Sequence, residues 1–231
     1  MKHHLLGTVR VAGAFALLAA SLPVLPAAAQ ATFGAAVNKP TAALAQFQQS
    51  FAGVTDYTDT IATKEQTNDG KKSETRTYSY KFKKPNFAVI AIEDGPGKGG
   101  GAAWRGGDKV KGHQGGLFSH IHLIVPIGDP RATSLRGDTL DTASFDYDLK
   151  YMLSTPGTLG EAPGPGGTTA VTLQQATPAS NGVSKVVLDI SSTTHLPTQR
   201  EQFAGGTLVK TETFSDVKTN VGLKTEDFDI N

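Results

Sequence analysis

Cysteine is absent from all 231 residues, so thiol catalysis, thiolate metal sites, redox exchange and disulfide crosslinks are excluded and side-chain burial has to hold the fold together. An excess of charge of one sign is missing too. The chain carries +1 at pH 7, and Lys2 and Arg10 are the only charged residues ahead of Gln30, so the part from Gln30 onward carries −1. Such a balance favours neither nucleic acid nor an anionic membrane surface as a partner. A membrane-spanning run is not found at the start: the apolar stretch from Val11 to Val24, broken by Ser21 and Pro23, is too short to cross a bilayer.

The first 29 residues instead have the order of a secretory signal peptide. Lys2 and Arg10 precede the apolar stretch, and Ala27, Ala28 and Ala29 offer small side chains for cleavage ahead of Gln30. The expected product is periplasmic or secreted. Residues 30–231 suit a single domain with its own core.

Hydrophobic spacing along that part alternates between two periods. From Pro40 to Ala52, Leu44, Phe47 and Phe51 fall on one helical face. From Gly53 the period becomes two, and strands are expected through DYTDTIATKEQ, KKSETRTYSYKF, NFAVIAIED, AAWRG, DKVKGH and IHLIVPI, with Asn68-Asp69-Gly70 as a hairpin turn. A second helix is expected from about Thr142 to Leu153, where Phe145, Leu149 and Met152 share a face. Residues 155–169 are so rich in Gly and Pro that a loop is expected. Four further strands, TAVTLQQA, SKVVLDISS, PTQREQFA and TLVKTETFSDVK, complete one antiparallel sheet. Two helices and one such sheet predict an α+β fold with the helices on one face, and a sheet that curls encloses an apolar groove.

Catalytic signatures are few. The run GPGKGGGAAWRGG has Gly99 after Lys98 where a phosphate loop needs Ser or Thr, no Gly-x-Ser-x-Gly elbow occurs, and Glu93 and Asp94 point to opposite faces of a strand end. No enzyme is predicted, and no cofactor. In KFKKP, Lys81 and Lys83 face away from Tyr78, Tyr80 and Phe82, as on any amphipathic strand. The histidines of HQGGLFSHIH allow two readings. His120 and His122 are two apart, with His113 across a turn, which permits a zinc or copper site. Alternatively Ile121, Leu123, Val125 and Ile127 form the buried face of that strand, and the histidines occupy its polar side.

The order of elements, with YTDTIATKEQTNDGK, YSYKFKKPNFAVI, VKGHQGGL and HLPTQREQFAGGTLVKTETFSDVKTNVGLKTEDFDI, resembles the LolA-like superfamily of periplasmic lipoprotein-sorting proteins. More closely it resembles an uncharacterised exported bacterial branch of it, a domain of unknown function, over most of Asp56 to Asn231. The resemblance implies a strongly curved antiparallel sheet, an incomplete barrel, with helices on its concave side and a cavity for acyl chains. The sheet contacts expected for a lipid are Tyr78, Tyr80, Phe87, Val89, Ile121, Leu123 and Val125, and the helix contacts Phe145, Leu149 and Met152. Lipoprotein acyl chains, another lipid-like ligand, and an envelope protein partner all stay open.

Overall fold

A computed structural model describes residues 36–230. The proposed signal peptide lies outside them. Eleven antiparallel strands form one sheet: β1 (Asp56–Gln66), β2 (Ser73–Lys83), β3 (Phe87–Asp94), β4 (Gly101–Trp104), β5 (Lys109–His113), β6 (His122–Pro126), β7 (Gly157–Pro163), β8 (Thr168–Gln175), β9 (Val183–Ser191), β10 (Pro197–Ala204) and β11 (Thr207–Thr219). Their spatial order is β6-β5-β4-β3-β2-β1-β11-β10-β9-β8-β7, so the sheet is open, with β6 and β7 as its edges.

That order dictates what covers the sheet. One meander runs outward from β1 to β6, and the other runs inward from β7 to β11, which pairs with β1. The connection between them has to travel from one edge to the other. It does so over the concave face, as a strap through residues 127–143 and then as helix α2 (Phe145–Ser154). Helix α1 (Ala42–Ala52) lies beside α2 and touches β8 and β9. A register shift between Thr58 and Thr60, opposite Ser215 and Lys218, bends the central pair, as an extra residue in one strand does.

Both helices begin on hydroxyl caps. Thr41 accepts from the Leu44 amide at 3.4 Å and Ser144 from the Tyr147 amide at 3.1 Å. Pro40 lies just ahead of the Thr41 cap, and α2 starts three residues later than its spacing predicts, because Leu140–Ala143 is a 3-10 turn. The burial of α1 follows its periodicity, with Leu44, Phe47 and Phe51 inside. Among the described residues no helix is long and apolar enough to cross a membrane.

At the level of elements one expectation is not met. Residues 155–169 are not a loop: Gly157–Pro163 pairs along its length with β8 as the edge strand β7. An edge position leaves the nitrogen of Pro163 without a required partner, which is why the sheet accepts it. The outer, convex face is covered at one place by the segment after β11, where Phe228 is fully buried against Phe87 with ring centroids 5.6 Å apart. Lys111 Nζ donates to the Ile230 carbonyl at 2.5 Å, and Arg105 pairs with Asp229 at 2.6 Å, so charge and burial fasten the same segment.

Candidate functional site

The concave face is set by alternation along β1, where Tyr57, Asp59, Ile61, Thr63 and Glu65 point inward. Cross-strand pairing carries the same face through Phe82, Tyr80 and Tyr78 on β2, Ala88, Ile90 and Ile92 on β3, and Ala102 and Trp104 on β4. It reaches Val110 on β5 and Leu123 and Val125 on β6.

At the helix end this bowl is full. Tyr57 stacks on Phe145 at 4.6 Å with planes 6° apart, and its hydroxyl accepts from the Phe145 amide at 3.0 Å. Phe47, Phe51 and Phe214 pack around them edge-on. Asp59 sits in this wall with both carboxylate oxygens lacking a hydrogen-bond partner among the described residues, as does the hydroxyl of its cross-strand neighbour Tyr80. Burial, reinforced by the charge of Asp148, pushes the Asp59 carboxyl up to about 8.

The middle of the bowl is charged. Arg200 on β10 donates to Asp148 of α2 at 2.5 Å and to Glu212 of β11 at 2.5 Å. Lys210 meets Glu212 at 3.0 Å and Asp138 of the strap at 2.6 Å. All four side chains of the Arg200, Lys210, Asp148 and Glu212 set are buried. Burial alone would lower the Lys210 ammonium, but Asp138 and Glu212 hold it above its ordinary value. Burial outweighs Arg200 at Asp148 and raises that carboxyl to about 6.

The strap crosses this centre and is tied to both halves of the rim. Arg136 donates to the Gln66 carbonyl at 2.8 Å and Asn68 at 3.0 Å on the β1–β2 turn, and to the Asn181 carbonyl at 3.1 Å before β9. Glu65 accepts from the Leu135 amide at 3.1 Å. Hollows remain on either side. Toward β9 and β10 lies a polar cavity of about 240 Å³ bounded by α2. Toward β6 lies an apolar groove in two connected parts that share Gly101, Ala102, His113, Arg131 and Ala132. The inner part holds about 150 Å³ against Ile61, Tyr78, Ile90 and Ile92, and the outer about 240 Å³ against Val110, Ile121, Leu123 and Val125. Its mouth is at the sheet edge, where Ile121 and Leu123 remain 45% and 43% exposed.

The structure therefore gathers Tyr78, Ile121, Leu123 and Val125 of the expected lipid contacts along one groove. Tyr80 and Phe145 are packed into the filled end, Leu149 is packed against the core, and Met152 borders the polar cavity. Phe87 and Val89 lie on the other side of the sheet, a correction that follows from register: Tyr80 pairs with Ile90, so the even-numbered residues of β3 face inward. Ile90, Ala102, Val110 and Ala132 line the groove without having been singled out in the sequence; the β2–β3 register would have found the first.

The histidines divide differently from their spacing. His113 and His122 are cross-strand partners with ring centroids 5.4 Å apart, and His113 borders both parts of the groove, whereas His120 belongs to the turn before β6. Among the described residues no group of three or more His, Cys, Asp or Glu is placed to hold a metal ion. Ile127 is buried as expected, but Ile121 and Leu123 are open to the groove mouth instead of being covered.

No protein-family model matches the chain, and no curated protein matches it. Solved structures do. An uncharacterized conserved protein from Thermus thermophilus superposes with a TM-score of 0.50 at 11% identity, over 80% of this chain and 90% of that one. This chain shares that protein's fold. A DUF1329 family protein from Desulfovibrio piger gives 0.47 at 12% identity over 81% and 94% of the two chains. A LolA superfamily protein from Nitrosomonas europaea gives 0.40 at 11% over 82% and 98%. At such identities the likeness describes the backbone, and this chain's own residues have to carry any argument about its ligand.

Proposed function

We propose that this LolA-like protein is a non-enzymatic binding protein or carrier of the periplasm or the exterior, which shelters the hydrocarbon of a lipid or lipoprotein acyl chain beneath β3–β6. One observation carries the reading: a continuous apolar groove runs from Ile61 and Tyr78 to an open mouth at Ile121 and Leu123. Each methylene withdrawn from water there contributes roughly 0.8 kcal/mol, so a groove needs no reacting group to be useful. Much of its wall is aliphatic, and polar groups that would orient a headgroup stand at its inner end, among them Arg76, Lys210 and Glu212, and again at Arg131, His113 and Gln114.

The test is displacement of a fluorescent long-chain fatty acid from the protein purified after export. Ala102→Trp, which fills the junction between the two parts of the groove, should abolish saturable binding while the protein stays folded by circular dichroism. Unchanged binding in that variant would overturn the reading. A second reading, an envelope scaffold, draws on the β6 edge, where Ile124 is 70% exposed and Leu117 in the turn before it 89%. It predicts retention of a protein partner that Ile124→Glu releases and Ala102→Trp does not.

A further inference from the structure

The sheet edge that forms the groove mouth is unguarded. Of the seven exposed large hydrophobic side chains among the described residues, Leu117, Ile121, Leu123 and Ile124 lie in β6 or just before it. Apolar residues gathered in this way mark a contact surface, whereas ones scattered singly do not. From Gln114 to Gly128 the chain has no Lys, Arg, Asp or Glu, although an edge strand kept from pairing commonly carries such a charge. A symmetric contact between two copies brings each residue near its own equivalent, so a charge there would meet its like; a tract without charge meets no such repulsion.

The backbone defines how a second copy would sit. The Ile127 amide donates to the Asp108 carbonyl at 2.8 Å, and the β5–β6 register continues from there through Val125 opposite Val110 and Leu123 opposite Gly112. Along an antiparallel ladder every second residue bonds to the neighbouring strand. Leu123 and Val125 therefore turn their backbone groups toward β5, and His122, Ile124 and Pro126 turn theirs outward. An antiparallel copy centred on Ile124 overlaps β6 along its whole length. Ile124 then exchanges two hydrogen bonds with the partner's Ile124, and on each side of the axis a His122 amide donates to the carbonyl of the partner's Pro126. Every outward N–H is used, and Pro126, which has none, withholds a bond without blocking the contact. The other edge is a poorer match for β6, since β7 carries Glu161 and ends in Pro163.

Side chains follow from the same register. Leu123 comes to lie opposite the partner's Val125 on the concave face, and these are the residues that line the outer part of the groove. We propose that β6 pairs with β6 of a second copy, so that the two open mouths close over each other and the grooves join into one apolar channel across the axis. The channel rests on the carrier reading and completes it, because each copy supplies Leu123 and Val125 to cover the other's exposed mouth.

Sedimentation velocity of the exported protein, stripped of lipid, tests the pairing and should show a dimer whose share grows with concentration. Ile124→Lys should be monomeric, because like charges then face each other at the axis with Lys111 beside each of them. Mixing it with Ile124→Glu should restore dimers, since position 124 then opposes its charge complement. Ile124 is exposed, so both variants should fold. Added long-chain fatty acid should tighten the parent dimer roughly tenfold, and by reciprocity Ile124→Lys should bind the fatty acid more weakly by about the same factor. A parent that stays monomeric up to about 0.1 mM, an Ile124→Lys variant that dimerises like the parent, or a mixture that stays monomeric would overturn the pairing. A dimer indifferent to bound fatty acid would overturn the joined channel. The two readings can fail apart: a dimer that binds no fatty acid removes the carrier and leaves the pairing, and saturable binding by a strictly monomeric protein does the reverse.

Discussion

Asp59 puts a carboxyl into an aromatic wall with no donor among the described residues to receive it, and the sign of the consequence is definite. Its folded value, about 8, stands far above the ordinary carboxylate value of 3.8, so the fold prefers the neutral acid. Below pH 4 folded and unfolded chains are both protonated there, and the residue is harmless. As pH rises from 4 toward 8 the unfolded chain releases the proton while the folded chain keeps it, and stability falls. Asp59→Asn should therefore stabilise the protein by a few kcal/mol, on the order set by 1.36 kcal/mol per pH unit across that window. Urea unfolding at pH 4, 6 and 8 checks it: the gain should be near zero at pH 4 and grow with each step. A gain independent of pH would show that the carboxyl is not neutral in the folded protein.

At the scale of elements, the segment after β11 acts as a brace on the convex face. Phe228 is fully buried against Phe87, and Lys83 and Lys111 hold the carbonyls of Leu223 and Ile230. Phe228→Ala should cost about 3–5 kcal/mol, read as a lower urea midpoint, with the groove's fatty-acid affinity unchanged because the brace and the groove lie on opposite faces. The strands themselves were largely legible: the alternation through Asp56–Gln66 and the Leu-Pro step before β10 mark their limits within a residue or two. β7 was not, because Gly157, Gly160 and Pro163 have no preference for a strand and only the free edge of β8 imposes one. The same limit hid which way β3 faces, since the pairing of Tyr80 with Ile90 is a fact of register and not of composition. Arg200 and Asp148 meet across 52 residues of chain, and no local pattern marks either as half of a buried pair.

For the molecule as a whole, the two meanders are joined side by side only through β1 and β11, and the strap ties their far rims together. Arg136 is one of its ties, reaching the β1–β2 turn with one nitrogen and the Asn181 carbonyl with the other, beside the Glu65–Leu135 and Lys210–Asp138 contacts. Arg136→Ala should loosen the strap, which Glu65 and Lys210 still hold, so that a bound fatty acid enters and leaves the groove faster while its equilibrium affinity changes little. Stopped-flow exchange of the fluorescent probe measures this, and unaltered rates would mean that the strap does not gate the groove.

The sheet's two ends differ in a way that limits how copies of this chain could add to one another. At one end Pro163 and Glu161 sit on the outermost strand, and the Glu161 carboxylate accepts from the Ala43 amide at the start of α1. At the other, β6 presents an unpaired backbone flanked by bare aliphatic side chains. A ribbon able to accept a neighbour on just one flank is spent after a single joining, so self-association through strands would stop at a two-fold pair and could not propagate into a fibre.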